Sequence, residues 1–167
     1  VKLDRNQLRP ATIEDLPQIT EIYNDAVTHS NATLDTEPRT KQAAAIWWQK
    51  LSGTYPIWVI EDNGAIHGYA ALVPWSDKKG YLPTAEFSIY LRPDAQGHGL
   101  GNTLSKKIIE DAKKGPFQLI ISRITEGNQA SIRLHEKLGF RALGVLPKAG
   151  EKFGKRLDVH VYLFPLV

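Results

Sequence analysis

The sequence predicts an α/β fold in which one mixed, mostly antiparallel sheet is flanked by helices. Three observations carry that expectation. Two β-rich runs, 55–62 and 65–75, flank Asn63-Gly64, the preferred pair for a two-residue type I′ hairpin turn. A third run, "TAEFSIYL" at 84–91, sets Phe87, Ile89 and Leu91 against Glu86, Ser88 and Tyr90, the period of a strand with two different faces. Helical spacing punctuates the strands, first at Ile13, Leu16, Ile19, Ile22, Tyr23, Ala26 and Val27.

In chain order, "LRPAT" (8–12) reads as a short first strand. Thr12 then offers an N-cap, with Asp15 three residues on in a capping-box arrangement. The polar stretch 30–39 reads as a loop, and Thr40 caps a second helix over roughly 41–52 that ends near Gly53. After the hairpin, a loop carrying Lys78, Lys79 and Gly80 leads into strand 84–91. A glycine-rich turn then opens a helix from about 100 to 113, with Leu100, Leu104, Ile108 and Ala112 at steps of four. "FQLIISRI" (117–124) is a buried strand, and a helix over about 129–138 stops at Gly139. "RALGVLP" and "DVHVYLFPL" close the chain as two more strands. The predicted order is β-α-α-β-β-β-α-β-α-β-β, without repeats or linkers, so residues 1–167 read as a single domain.

Composition removes several function classes. The chain has 167 residues, 42% hydrophobic and 23% charged, which is ordinary for a globular domain with its own core. Cysteine is absent, which excludes disulfides, thiolate metal sites and a cysteine nucleophile. The net charge of +3 is spread along the chain and not gathered in a stripe, so no nucleic-acid partner is expected. No apolar run approaches the ~18 residues of a membrane span. The opening "VKLDRNQLRP" lacks the apolar centre of a secretory signal, which sets a cytoplasmic expectation. The five histidines show no metal-ligand spacing, and no metal is expected.

The stretch "DAQGHGLGNTL" (94–104) places Gly97, Gly99 and Gly101 in alternation just before a helix. Strand, glycine loop and helix together present free backbone N–H groups and a positive helix end to an anion. A P-loop would need GxxxxGK[ST], and no Lys-Ser/Thr pair follows. A dinucleotide fingerprint would need GxGxxG after the first strand of a βαβ unit; this loop reads GxGxG after a three-strand meander.

"QGHGLG" (96–101) resembles the pyrophosphate loop, Q/R-x-x-G-x-G/A, of the GNAT N-acetyltransferases. "GNQASIRLHEKLGF" (127–140) is similar to that superfamily's asparagine segment. "IYNDAVTHSNATLDTEP" (22–38) and "TAEFSIYL" resemble the phosphinothricin acetyltransferase and amino-acid N-acetyltransferase branch, and the likeness covers essentially the whole chain. The resemblance implies the acyl-CoA N-acyltransferase fold, acetyl-CoA as co-substrate, a small amino-acid-like acceptor and a homodimer.

The chemistry narrows the candidates further. Without a cysteine, the economical route is direct attack by a neutral amine on the thioester in a ternary complex, using proximity and a proton acceptor. Glu86, a carboxylate in mid-strand on the polar face with Ser88 and Tyr90, is the candidate base; in the branch resembled, a glutamate here is the proposed base, acting through water. The likeness adds His135 as an auxiliary near the thioester. It also implies that Ile89, Tyr90 and Leu91 hold the pantetheine by main chain, and that amides from Gln96 through Gly97, His98, Gly99, Leu100 and Gly101, with Asn102, take the pyrophosphate. Asn128 is expected to N-cap its helix, and the likeness also places it near the pantetheine arm.

On the acceptor side the likeness implies Leu34, Trp75, Lys78, Tyr81 and Ser88, with help from a partner subunit. Phosphinothricin acetyltransferases carry two basic residues shortly after Pro-Trp; here Ser76 stands at the first place and Lys78 at the second. The reading is an N-acetyltransferase acting on the α-amine of a small amino acid or analogue of the methionine sulfone, methionine sulfoximine or phosphinothricin type. A protein or peptide acetyltransferase and a non-catalytic CoA-binding module are the alternatives.

Overall fold

A computed structural model describes residues 7–167; the first six residues of the domain and of the N-terminal segment read above lie outside it. The short strand β1 (Leu8–Pro10) leads through a 3-10 turn (Ile13–Asp15) into helix α1 (Leu16–His29). The Thr12 amide donates to the Asp15 carboxylate at 2.8 Å, and the Arg9 guanidinium holds the same carboxylate, at 2.7 and 2.8 Å. The turn ends where Leu16 begins the α-helix, so α1 starts later than the apolar spacing from Ile13 implies. Helix α2 (Lys41–Leu51) is capped by Thr40, whose hydroxyl accepts from the Ala43 amide at 3.1 Å.

Strands β2 (Ile57–Asp62) and β3 (Ala65–Pro74) form the predicted hairpin, with Asn63 and Gly64 both at positive φ (50° and 81°) as a type I′ turn requires. Then follow β4 (Thr84–Leu91), α3 (Leu100–Ala112), β5 (Leu119–Thr125), α4 (Gln129–Leu138), β6 (Arg141–Lys152) and β7 (Lys155–Pro165). The seven strands order as β1-β2-β3-β4-β5-β7-β6, antiparallel throughout except for β4 and β5.

Two apolar clusters cover opposite faces of the sheet. Phe87, Leu104, Ile108, Ile120 and Phe140 pack with α3, while Ile19, Val27, Leu51, Val59 and Tyr69 pack beneath α1 and α2. The alternation of β4 accounts for this: Ile89 and Leu91 join the first cluster and Tyr90 the second. The last hairpin is longer than its apolar runs suggest. "KAGEKFGKRL" continues the pairing to Lys152↔Lys155, and Phe153-Gly154 makes the turn at positive φ. Two register shifts in β6, with Lys148 at φ 53°, bend this edge strand over the 30–38 loop.

Candidate active site

The site lies where the sheet opens. The parallel pairing of β4 and β5 is registered at Thr84↔Leu119, Ala85↔Ile120 and Glu86↔Ile121, and stops there. Beyond Glu86, β4 keeps its β3 partner as far as Leu91. Its other edge borders a cleft of about 1060 Å³ that takes in residues of both sheet faces. Glu86, Ser88, Tyr90, Tyr23 and Arg39 line it from the α1–α2 side; Phe87, Ile89, Asn128 and His135 line it from the α3–α4 side. A gap that passes through a sheet lets two molecules meet from opposite faces, and the free edge offers main-chain groups to an extended ligand.

The glycine loop forms one wall. Gly97 and Gly99 have φ of +80° and +79°, and a Cβ at either would meet nothing within 4 Å, so conformation, not crowding, requires glycine there. Gly101 differs: it is helical, and a Cβ there would make ordinary contacts, 3.4 Å from Leu134 and 3.6 Å from Ile89. Three glycines that look alike in sequence therefore do two jobs. Intrahelical bonding of α3 begins at the Thr103 amide, which donates to Gly99 O at 3.2 Å, so the preceding amides of Leu100, Gly101 and Asn102 are open to an anion. The Asn102 Oδ1 is buried and has no hydrogen-bond partner among the described residues. Gln96, Gly97, Gly99, Gly101 and Asn102 line the cleft; the His98 side chain is exposed beside it, and Leu100 is buried in the core.

On α4, Asn128 accepts from the Ser131 amide at 3.2 Å as N-cap and also borders the cleft. His135 is 2% exposed, packed among Phe87, Phe140 and Tyr162. Its Nδ1 faces the Ser131 carbonyl at 2.7 Å and therefore carries the proton; Nε2 accepts from the Ser122 hydroxyl at 2.7 Å. Burial pushes this imidazole below its ordinary 6.5. The folded state thus holds a neutral ring while the unfolded chain takes up a proton as pH falls through 6.5, so stability falls with it. The gap in urea midpoint between the wild type and His135→Gln is expected to shrink from pH 7 to pH 5, and a constant gap would contradict this.

Glu86 is held in a pair that sequence reasoning missed. Arg123 Nε and Nη2 donate to its two carboxylate oxygens at 2.7 and 2.8 Å, a bidentate bond between residues 37 apart in the chain. The hydrogen bond to Glu86 pushes the Arg123 guanidinium above its ordinary value. The signal was visible as a lone arginine within the apolar strand "LIISRIT".

The 30–38 loop walls the α1–α2 side of the cleft. The Tyr23 hydroxyl donates to Asp35 and lies 3.1 Å from Thr33 Oγ1; burial pushes it up to about 12. Arg39, also missed, stacks 4.0 Å from the Tyr23 ring centre and 4.9 Å from that of Trp47, and its buried Nη1 has no hydrogen-bond partner among the described residues. Lys152, 3% exposed, reaches across from the end of β6 and donates to the Ser30 and Thr33 carbonyls at 2.7 and 2.8 Å. Lys152→Met leaves both carbonyls unpaired and is expected to cost about 1–3 kcal/mol of stability and to raise the acceptor KM several-fold. Equal KM values would show that the clamp is not needed for the loop's binding geometry.

Leu34 and Ser88 line the cleft, and Leu34 packs so closely on Gly150 that a Cβ there would lie 2.4 Å from Leu34 Cδ1. Trp75 is not among the residues that line the cleft; its ring lies 5.4 Å from the guanidinium of Arg123, which does line it. Lys78 and Tyr81 are not brought to it: both stand exposed on the turn before β4. Among the described residues no group of three or more His, Asp or Glu is placed to hold a metal ion, and no helix is long and apolar enough to cross a membrane.

An opened parallel strand pair, a glycine loop at a helix start and a carboxylate at the opening suit acyl transfer between two bound molecules, and comparison with known proteins shows the family. The chain belongs to the acetyltransferase (GNAT) domain family, whose match covers residues 5–141. It is 39% identical over 91% of its length to an L-methionine sulfoximine/L-methionine sulfone acetyltransferase from Salmonella typhimurium, covering 90% of that protein. Its fold superposes with a TM-score of 0.90 on a phosphinothricin acetyltransferase from Sinorhizobium meliloti in complex with acetyl-CoA, at 34% identity over 95% of this chain and 86% of that one. A ribosomal-protein-alanine N-acetyltransferase from Brucella melitensis is also similar, with a TM-score of 0.89 at 34% identity over 95% and 98% of the two chains.

Proposed function

We propose that this enzyme transfers the acetyl group of acetyl-CoA to the α-amine of a small amino acid or amino-acid analogue, the methionine sulfone, methionine sulfoximine and phosphinothricin types being the reference acceptors. The carrying observation is Glu86 at the point where β4 and β5 part, facing a cleft that is open to both faces of the sheet. Acetyl-CoA lies with its pyrophosphate on the Gly97–Asn102 amides and its pantetheine along Ile89, Tyr90 and Leu91, beside Asn128. The acceptor enters from the α1–α2 side beside Leu34 and Ser88. Its amine attacks the thioester carbonyl, Glu86 takes the amine's proton directly or through water, and the CoA sulfur leaves with the electron pair of the broken C–S bond. His135, neutral and held by Ser122 and the Ser131 carbonyl, shapes the wall beside the thioester.

The enzyme is a homodimer whose partner subunit completes the acceptor pocket, and it works in the cytoplasm. The dimer reading is supported by the exposed Leu143, Val145 and Leu146 on edge strand β6, and a sedimentation measurement at micromolar concentration tests it. The test of function is thiol release from acetyl-CoA against free amino acids, methionine sulfone, methionine sulfoximine and phosphinothricin, with lysine and alanine-terminal peptides alongside. Turnover of a free α-amino acid class is expected. Turnover of the alanine-terminal peptide alone would favour a protein acetyltransferase, the reading to which the similarity with the Brucella melitensis enzyme lends support.

A further inference from the structure

We propose that Arg123 anchors the acceptor's α-carboxylate, and that the acceptor binds by exchanging into the Glu86–Arg123 ion pair. The inference rests on the α-amine reading above. An α-amino acid carries an ammonium and a carboxylate on one carbon. Glu86 and Arg123 present the complementary charges side by side, joined at 2.7 and 2.8 Å, so an amine brought to Glu86 carries its carboxylate to within reach of the guanidinium.

Three features of Arg123 suit it to that task. Its fork matches a carboxylate by two parallel bonds, which a lysine cannot do. Nε and Nη2 are committed to Glu86, while Nη1 has no protein acceptor among the described residues. The side chain is 52% exposed against 15% for Glu86, so the guanidinium is the partner that an entering ligand meets first. The Trp75 ring 5.4 Å away steadies it without using a donor.

Stability gives little reason for the pair. A half-exposed ion pair adds little to folding, yet here it places a charge within an otherwise uncharged strand. The other cations fit the head group less well. Lys78 stands exposed outside the cleft, and Arg39 stacks on Tyr23 and Trp47, which belong to α1 and α2 and not to the strands that meet at Glu86.

The test compares kcat/KM for L-methionine sulfone and its α-carboxamide at saturating acetyl-CoA, in the wild type, R123Q, R123K and R39Q. Wild type is expected to favour the acid at least about tenfold, since hydrogen bonds to a charged group are lost with the amide. In R123Q that ratio should fall at least tenfold, with R123K in between; comparing one ratio across variants cancels the amide's lower amine pKa. Acetyl-CoA affinity checks that each variant folds, and R123K carries the test should R123Q fail that check. A wild-type ratio in the Arg123 variants, or a collapse in R39Q instead, overturns the assignment. Wild-type turnover of peptides alone would overturn the α-amine reading itself, and this assignment with it.

Discussion

Glu86→Gln is expected to lower kcat/KM by about 10- to 1000-fold, the range for loss of a positioned proton acceptor. The amide keeps the shape of the side chain and one acceptor for Arg123 but cannot take a proton. Wild type can use the abundant ammonium form of the acceptor, because the carboxylate removes its proton within the complex. The variant reacts only with the fraction that is already neutral, so its rate should keep climbing until pH reaches the pKa of the acceptor's own amine. The ascending limb of the pH profile therefore moves to higher pH, and acetyl-CoA affinity stays near that of wild type. A loss under about threefold with an unmoved limb would remove Glu86 from proton transfer and leave it as the partner of Arg123.

Gly99→Ala should weaken acetyl-CoA binding by about five- to thirtyfold, whereas Gly101→Ala should stay within about threefold of wild type. At Gly99, φ of +79° costs an L-residue roughly 1–2 kcal/mol, about the equivalent of a tenfold change in affinity, and the added methyl points into open space beside the loop. That open space is where the pyrophosphate is proposed to lie. The helix behind it is anchored independently by the buried Leu100, Leu104 and Ile108, so the melting temperature should fall by only a few degrees. At Gly101 the backbone is helical, the new Cβ meets Leu134 at 3.4 Å, and alanine is the better helix former. Calorimetric titration of both variants with acetyl-CoA separates the two roles. Equal losses would mean that the loop acts as one flexible unit; no loss at Gly99 would move the cofactor off this loop.

Most of the architecture was legible because its signals are local. Asn63-Gly64, the alternation of 84–91, Thr40 as N-cap and Gly139 after α4 each depend on neighbours in sequence, and each element formed within two residues of its expected ends. The 141–165 hairpin was underestimated because "KAGEKFGKRL" has no apolar period; its pairing is imposed by the partner strand and by the contact of Gly150 with Leu34. The glycine loop was legible for the same reason as the turns, since the positive φ of Gly97 and Gly99 is a local requirement.

The acceptor side was not legible to the same degree. Lys78 stood out in sequence because it sits near Pro74-Trp75, yet the fold leaves it exposed, while Arg123 and Arg39 enter the cleft from segments with no motif. By itself the sequence determined the order of elements, the glycine loop at the start of α3 and a carboxylate on the strand before it, all of which follow from short-range stereochemistry and hydrophobic period. Only the tertiary structure decided what that carboxylate faces. The parallel register Glu86↔Ile121 turns Arg123, two residues along β5, onto the same face as Glu86. That register is set by the packing of two clusters on either side of the sheet, a long-range condition that no local pattern encodes.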